Sequence, residues 1–109
     1  MHLAGSTDRL LTYARGESLS PAQLATLDAE RELPHIALDV LLVRWREVVQ
    51  NALRQIADTP ETSLLEPRAV GRARLPSTVL GLIFHAAEHA QRHVGQIVTT
   101  TKIIRGTDV

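Results

Sequence analysis

Apolar residues recur at a spacing of three to four along nearly the whole chain, and alternation with a period of two is nowhere sustained. The first pattern is typical of amphipathic α-helices, whereas half-buried strands would need the second. Glycine and proline residues divide the pattern into four segments. The sequence therefore predicts an all-α protein, and its 109 residues correspond to a single domain, residues 1–109.

The first predicted helix runs from His2 to about Arg15 and stops before Gly16, a residue type favoured just beyond a helix end. A second, short helix is predicted to end near Pro34. Its start carries a capping box with proline at the first helical position, formed by Ser20, Pro21 and Gln23.

A third helix is predicted from about His35 to Ala57, with Trp45 assigned to the core. Its apolar stripe comprises Ile36, Val40, Val43, Val48, Leu53 and Ile56. Residues 59–76 contain three prolines and one glycine, which predicts an irregular crossing with a short hairpin in RAVGRAR. Ser77 is the predicted cap of the last helix, which should extend through Ile104 and stop near Gly106.

The charge balance and the absence of cysteine exclude several functional classes. Lysine plus arginine and aspartate plus glutamate number 12 each, so no excess positive charge attracts nucleic acid or an anionic membrane. The lack of cysteine excludes disulfides, thiolate metal ligands and a cysteine nucleophile. No membrane-spanning apolar run or secretory leader is visible, so we expect a cytoplasmic protein.

Three histidines, His85, His89 and His93, are spaced by four residues in the stretch FHAAEHAQRHVGQI. Residues four apart lie above one another on a helix, so two neighbouring imidazoles can close on one divalent ion. The predicted core face of this helix comprises Val79, Ile83, Ala86, Ala90, Val94 and Ile97. His89 and His93 lie nearer to that face than His85, so we expect them to be the ligand pair. His85 then belongs at the rim, and Gln96 is placed to orient a ligand or a bound water.

A third protein ligand would complete the usual arrangement of catalytic zinc. His2, at the start of the first helix, is the natural candidate, and His35 is the alternative from the far side of a proline turn. Spacing does not decide between them. The competing interpretation is that each histidine is a hydrogen-bonded residue at the edge of an apolar face.

The helical pattern starts directly at Met1 and His2, without a capping residue. Three helices of usable length leave an apolar flank uncovered, whereas four close a bundle. We therefore expect either a homodimer, in which the partner covers this flank, or a further helix encoded upstream.

EHAQRHVGQI near the C-terminus, together with the opening HLAGSTDRLLTYARG, resembles the DinB-like (YfiT-like) metalloenzyme superfamily. The resemblance covers essentially the whole chain but leaves the first helix of the family without a counterpart. It implies a four-helix-bundle fold and a divalent metal, most commonly zinc or nickel. Carried over by position, the implied ligands are His2, His89 and His93.

Relatives in this family include metal-dependent hydrolases and transferases that use thiols such as bacillithiol or mycothiol. The resemblance thus implies a small-molecule substrate and, because the chain has no cysteine, a thiol that arrives as co-substrate. The alternative is a non-catalytic helical dimer or a truncated remnant whose histidines do not meet.

Overall fold

The computed structural model describes residues 1–32 and 34–106 and confirms the all-α class. The four helices are α1 (His2–Ala14), α2 (Pro21–Arg31), α3 (Leu38–Asp58) and α4 (Val79–Arg105). A 3₁₀ turn at Glu61–Ser63 and an antiparallel hairpin of β1 (Pro67–Val70) and β2 (Leu75–Thr78) connect α3 to α4. The hairpin lies in the segment where the sequence predicted one. No helix in the described part of the chain is long and apolar enough to cross a membrane.

Helix α1 is the centre of the fold, because it contacts α2, α3, α4 and β1. Its buried residues are Ala4, Gly5, Ser6, Thr7, Leu11, Thr12 and Ala14. The side chains near its N-terminal end are small, which lets neighbouring elements approach its backbone closely. The rest of the buried apolar core comes from Val48 of α3 and from Val79, Leu82 and Ala86 of α4.

Most of the helix-capping residues that the sequence predicts are found in the structure. Ser20 and Gln23 form the predicted capping box of α2, and Gly16 after α1 has a positive φ of 78°. The predicted cap of α4 was wrong by one residue: Thr78, not Ser77, accepts a hydrogen bond from the amide of Gly81. Ser77 is held in the hairpin opposite Arg68, so the chain turns helical one residue later.

The apolar stripes were correctly placed on helices but are less buried than predicted. In α3 only Val48 is buried, whereas Val40, Val43 and Leu53 are 56%, 55% and 61% exposed. The predicted core residue Trp45 is half-buried. In α4, Val79 and Ala86 are buried as predicted and Leu82 joins them, but Val94 and Ile97 are exposed. Periodicity identifies an apolar face without showing whether another element covers it.

Candidate metal centre

The packing of α1 against α4 brings three imidazoles from opposite ends of the chain together. Nε2 of His89 lies 3.3 Å from Nε2 of His2 and 3.1 Å from Nε2 of His93. One ligand nitrogen from each ring lies within 4.8 Å of the others. His35, the alternative third ligand, is not in this group. The structure thus places together the three residues that the resemblance implied.

Local structure accounts for the positions of the rings. His89 and His93 are one turn apart on α4, and their ring centroids are 4.4 Å apart. His2 occupies the first position of α1, and its ring meets those of His89 and His93 edge-on at 5.4 and 5.0 Å. Two of the three rings therefore come from one helical turn and the third from a long-range helix contact.

Hydrogen bonds at the far sides of two rings fix which nitrogen is available. Nδ1 of His2 lies 3.1 Å from a carboxylate oxygen of Glu30, and Nδ1 of His93 lies 2.8 Å from the amide oxygen of Gln96. Both partners are acceptors, so Nδ1 is the donor in each ring, and the neutral form of each ring would present the lone pair of Nε2 to the centre of the group. This is the arrangement usual for histidines that bind metals.

Glu30 of α2 was not predicted from the sequence. Its side chain is only 7% exposed, and Arg9 donates two hydrogen bonds to its carboxylate, at 2.9 and 3.2 Å. Burial raises the pKa of Glu30, but the hydrogen bonds from Arg9 and His2 outweigh it and the pKa falls below its ordinary value. The carboxylate is therefore ionised and held in place beside His2.

Gly5 makes the approach of Glu30 possible. A Cβ atom at position 5 would lie 2.1 Å from Oε1 of Glu30 and 2.8 Å from a guanidinium nitrogen of Arg9, distances that real Cβ atoms do not show. A sequence signal for this contact existed, because His2, Gly5 and Arg9 recur at helical spacing on one side of α1. The partner on α2 could not be read from that spacing.

The pKa of His89 is lowered by burial first and then by the neighbouring His93 and His2. Each of these effects disfavours the protonated ring. A neutral imidazole is the form that binds a metal ion, so the environment of His89 keeps it competent as a ligand.

The remaining residues of the C-terminal stretch surround the group without entering it. His85 is exposed, and its ring stacks on that of His89 with centroids 5.8 Å apart and planes 18° apart. Glu88 binds Arg92 one turn later, and that hydrogen bond lowers its pKa. Neither side chain contributes an atom to the histidine group.

The geometry of the group suits a small divalent ion. Nitrogens about 2.0–2.1 Å from a tetrahedral zinc ion are roughly 3.3–3.4 Å apart. The distances from Nε2 of His89 to Nε2 of His2 and of His93, 3.3 and 3.1 Å, are close to this value. Neutral imidazoles also suit zinc, nickel and copper, whereas calcium and magnesium prefer oxygen ligands. A metal ion held by these three rings would keep a coordination position open to solvent, because His2 is exposed.

A groove of about 390 Å³ adjoins the histidine group. Besides His2 and His93, its lining residues are Met1, Leu3, Gln96, Ile97, Thr100 and Thr101. Apart from the two histidines, no titratable side chain lines it among the described residues. The walls thus combine apolar side chains with amide and hydroxyl groups.

A family model described as the DinB superfamily matches residues 1–97. The matched range begins before His2 and ends just after Gln96, so it contains every residue of the histidine group and its hydrogen-bond partners. No curated protein and no solved structure matches the chain in the other two comparisons. The family match spans most of the 109 residues, and the chain belongs to the DinB superfamily.

Proposed function

We propose that His2, His89 and His93 bind one divalent metal ion, zinc or nickel, and that the protein is a metal-dependent hydrolase or a thiol-dependent transferase. The observation that carries this proposal is the convergence of three Nε2 atoms, two of them on rings whose Nδ1 atoms are held by Glu30 and Gln96. Membership of a superfamily that usually binds metal supports it.

A bound divalent ion would lower the pKa of a coordinated water or thiol and so supply a nucleophile near neutral pH. Individual residues of the chain have separate roles around the bound ion. Glu30, clamped by Arg9, keeps the ring of His2 turned toward the site. Gln96 does the same for His93. These contacts pre-organise the ligands, so little order has to be gained when the metal binds.

We propose that the groove beside the histidines receives a small-molecule substrate. Leu3 and Ile97 offer apolar contact, while Thr100 and Thr101 offer hydroxyl groups for hydrogen bonds. The chain contains no cysteine, so a thiol nucleophile would have to come from a low-molecular-weight co-substrate. The convergence of the histidines argues against the alternative of a remnant whose ligands do not meet.

The exposed apolar stripe of α3 supports a further part of the proposal, that the protein is a homodimer. Soluble monomers rarely leave large contiguous apolar patches uncovered. We expect sedimentation equilibrium to give twice the 12.0 kDa of one chain. Placing charges in the stripe with Val40→Glu and Val43→Glu should yield monomers, whereas Gln91→Glu, at an exposed position of α4, should not. A monomeric native chain would contradict the proposal.

Metal titration tests the proposed site directly. Untagged protein stripped with a chelator should bind one Zn²⁺ or Ni²⁺ per chain in calorimetry, and one Co²⁺ with the intense visible absorption of a low-coordinate site. Adding 2-mercaptoethanol to the cobalt protein should produce a sulfur-to-metal charge-transfer band if an open position accepts a thiol. The His35→Ala variant, outside the group, is the matched control and should bind equally well. Binding of less than a stoichiometric amount by native protein would refute the proposal.

A further inference from the structure

A second groove, of about 550 Å³, lies at the opposite end of α1 from the histidines. One part of its wall consists of the end of α1 and the segment that follows this helix. Another part is the hairpin. Helix α1 has 13 residues, so its two ends are roughly 20 Å apart. A small molecule in this groove therefore does not reach the histidine group.

Arg68 of β1 fixes the hairpin over the end of α1. Its Nε donates to the carbonyl of Ala14 at 2.9 Å, and its two terminal nitrogens donate to the carbonyl of Pro67 at 2.9 Å and to Glu66 at 3.2 Å. The last carbonyls of a helix carry partial negative charge, so a guanidinium group there is stabilising. Arg68 thus has a structural task, and its hydrogen-bonding groups are largely used.

Arg72 and Arg74, the two arginines of the hairpin turn, have no comparable structural role. Within the described parts of the chain, Arg72 and Arg74 make no ion pair or side-chain hydrogen bond, and both line the groove. Tyr13 and Ser18 also line the groove, and their hydroxyls have no hydrogen-bond partner among those residues. Glu17, the acidic residue of the lining, is bound to Arg15 at 2.6 Å. The groove therefore collects unused donors and excess positive charge.

The lining also contains apolar side chains, those of Leu19, Leu24 and Ala69. Arginine presents a planar set of donors that fits carboxylate, phosphate and sulfonate groups, often through two hydrogen bonds at once. We propose that this groove binds a small organic anion. Its charged group lies on Arg72 and Arg74, within reach of the hydroxyls of Tyr13 and Ser18, and its apolar part lies on the leucines.

Amide chemical shifts test this site with three probes at constant ionic strength: phenyl phosphate, inorganic phosphate and phenol. Phenyl phosphate should shift the amide signals of Gly16, Ser18 and Gly71 in a saturable way. Inorganic phosphate, which lacks the apolar part, should bind there more weakly, and phenol, which lacks the anion, should not saturate. Replacing both turn arginines, Arg72→Gln with Arg74→Gln, should weaken phenyl phosphate binding at least about tenfold, because charge-assisted hydrogen bonds are lost.

The matched control is Arg44→Gln with Arg46→Gln, which removes the same charge from α3, away from the groove. It should change the affinity less than twofold. Because Arg74 has a positive φ of 50°, the single variant Arg72→Gln is measured as well and leaves that turn residue intact. Equal affinities in the groove and control variants would overturn the proposal, as would probe-induced shifts confined to residues 85–96. Metal content should be unaffected in all these variants, so this test fails or succeeds independently of the metal proposal.

Discussion

Zinc should bind about 10²- to 10⁴-fold more weakly when His89 is replaced by alanine. His89 is the central ring of the proposed site, since its Nε2 is within 3.3 Å of the Nε2 atoms of both His2 and His93. Zinc sites in small proteins are worth roughly 10–16 kcal/mol in total, so one ligand contributes about 3–5 kcal/mol. Competition with a chromophoric chelator measures the dissociation constant over this range.

His85→Ala is the control for this measurement. His85 lies one turn before His89 on the same helix and stacks on its ring, yet none of its nitrogens belongs to the group. The variant removes an imidazole of the same kind from the same helix, so we expect a change of less than about threefold in zinc affinity. If His85→Ala and His89→Ala weaken binding equally, the assignment of ligands is wrong. Far-UV circular dichroism shows whether each variant keeps its helices.

The part of the site that the sequence could reveal is the part set by local geometry. His89 and His93 are four residues apart, and any α-helix over that stretch places them one turn apart. The capping box at Ser20 and Gln23 is equally local and was found where predicted. In contrast, spacing left His2 and His35 as alternatives for the third position, because that choice depends on which helices pack together.

Contacts between helices explain what the sequence did not reveal. Glu30 reaches His2 only because α2 packs on α1 and because Gly5 leaves room for the carboxylate. Nothing in the spacing of α2 distinguishes this glutamate from a solvated one. The extent of burial along α3 has the same origin: Val40 and Val48 fit one apolar stripe, but only Val48 is covered. Burial depends on neighbours that a helical period does not specify.

The second large effect is expected from Glu30→Ala, which should lower zinc affinity about 10- to 100-fold without touching a proposed ligand. The substitution releases Nδ1 of His2 and leaves the guanidinium of Arg9, 11% exposed, without its carboxylate. Breaking a buried ion pair from one side is also destabilising, by about 3 kcal/mol in the free energy of unfolding measured with urea. Glu88→Ala, which changes the net charge equally and lies beside His89, should leave zinc affinity within about threefold.

A pair of glycine variants tests the same contact without removing the side chain of Glu30. Gly5→Ala keeps Glu30 and Arg9 but puts a Cβ where the carboxylate lies, so it should displace Glu30 from His2 and reduce zinc affinity nearly as much. Gly95→Ala, where a Cβ meets nothing within 4 Å, should leave affinity unchanged while favouring the helix by up to about 1 kcal/mol. If both Glu30→Ala and Gly5→Ala bind zinc like the native chain, Glu30 does not position His2.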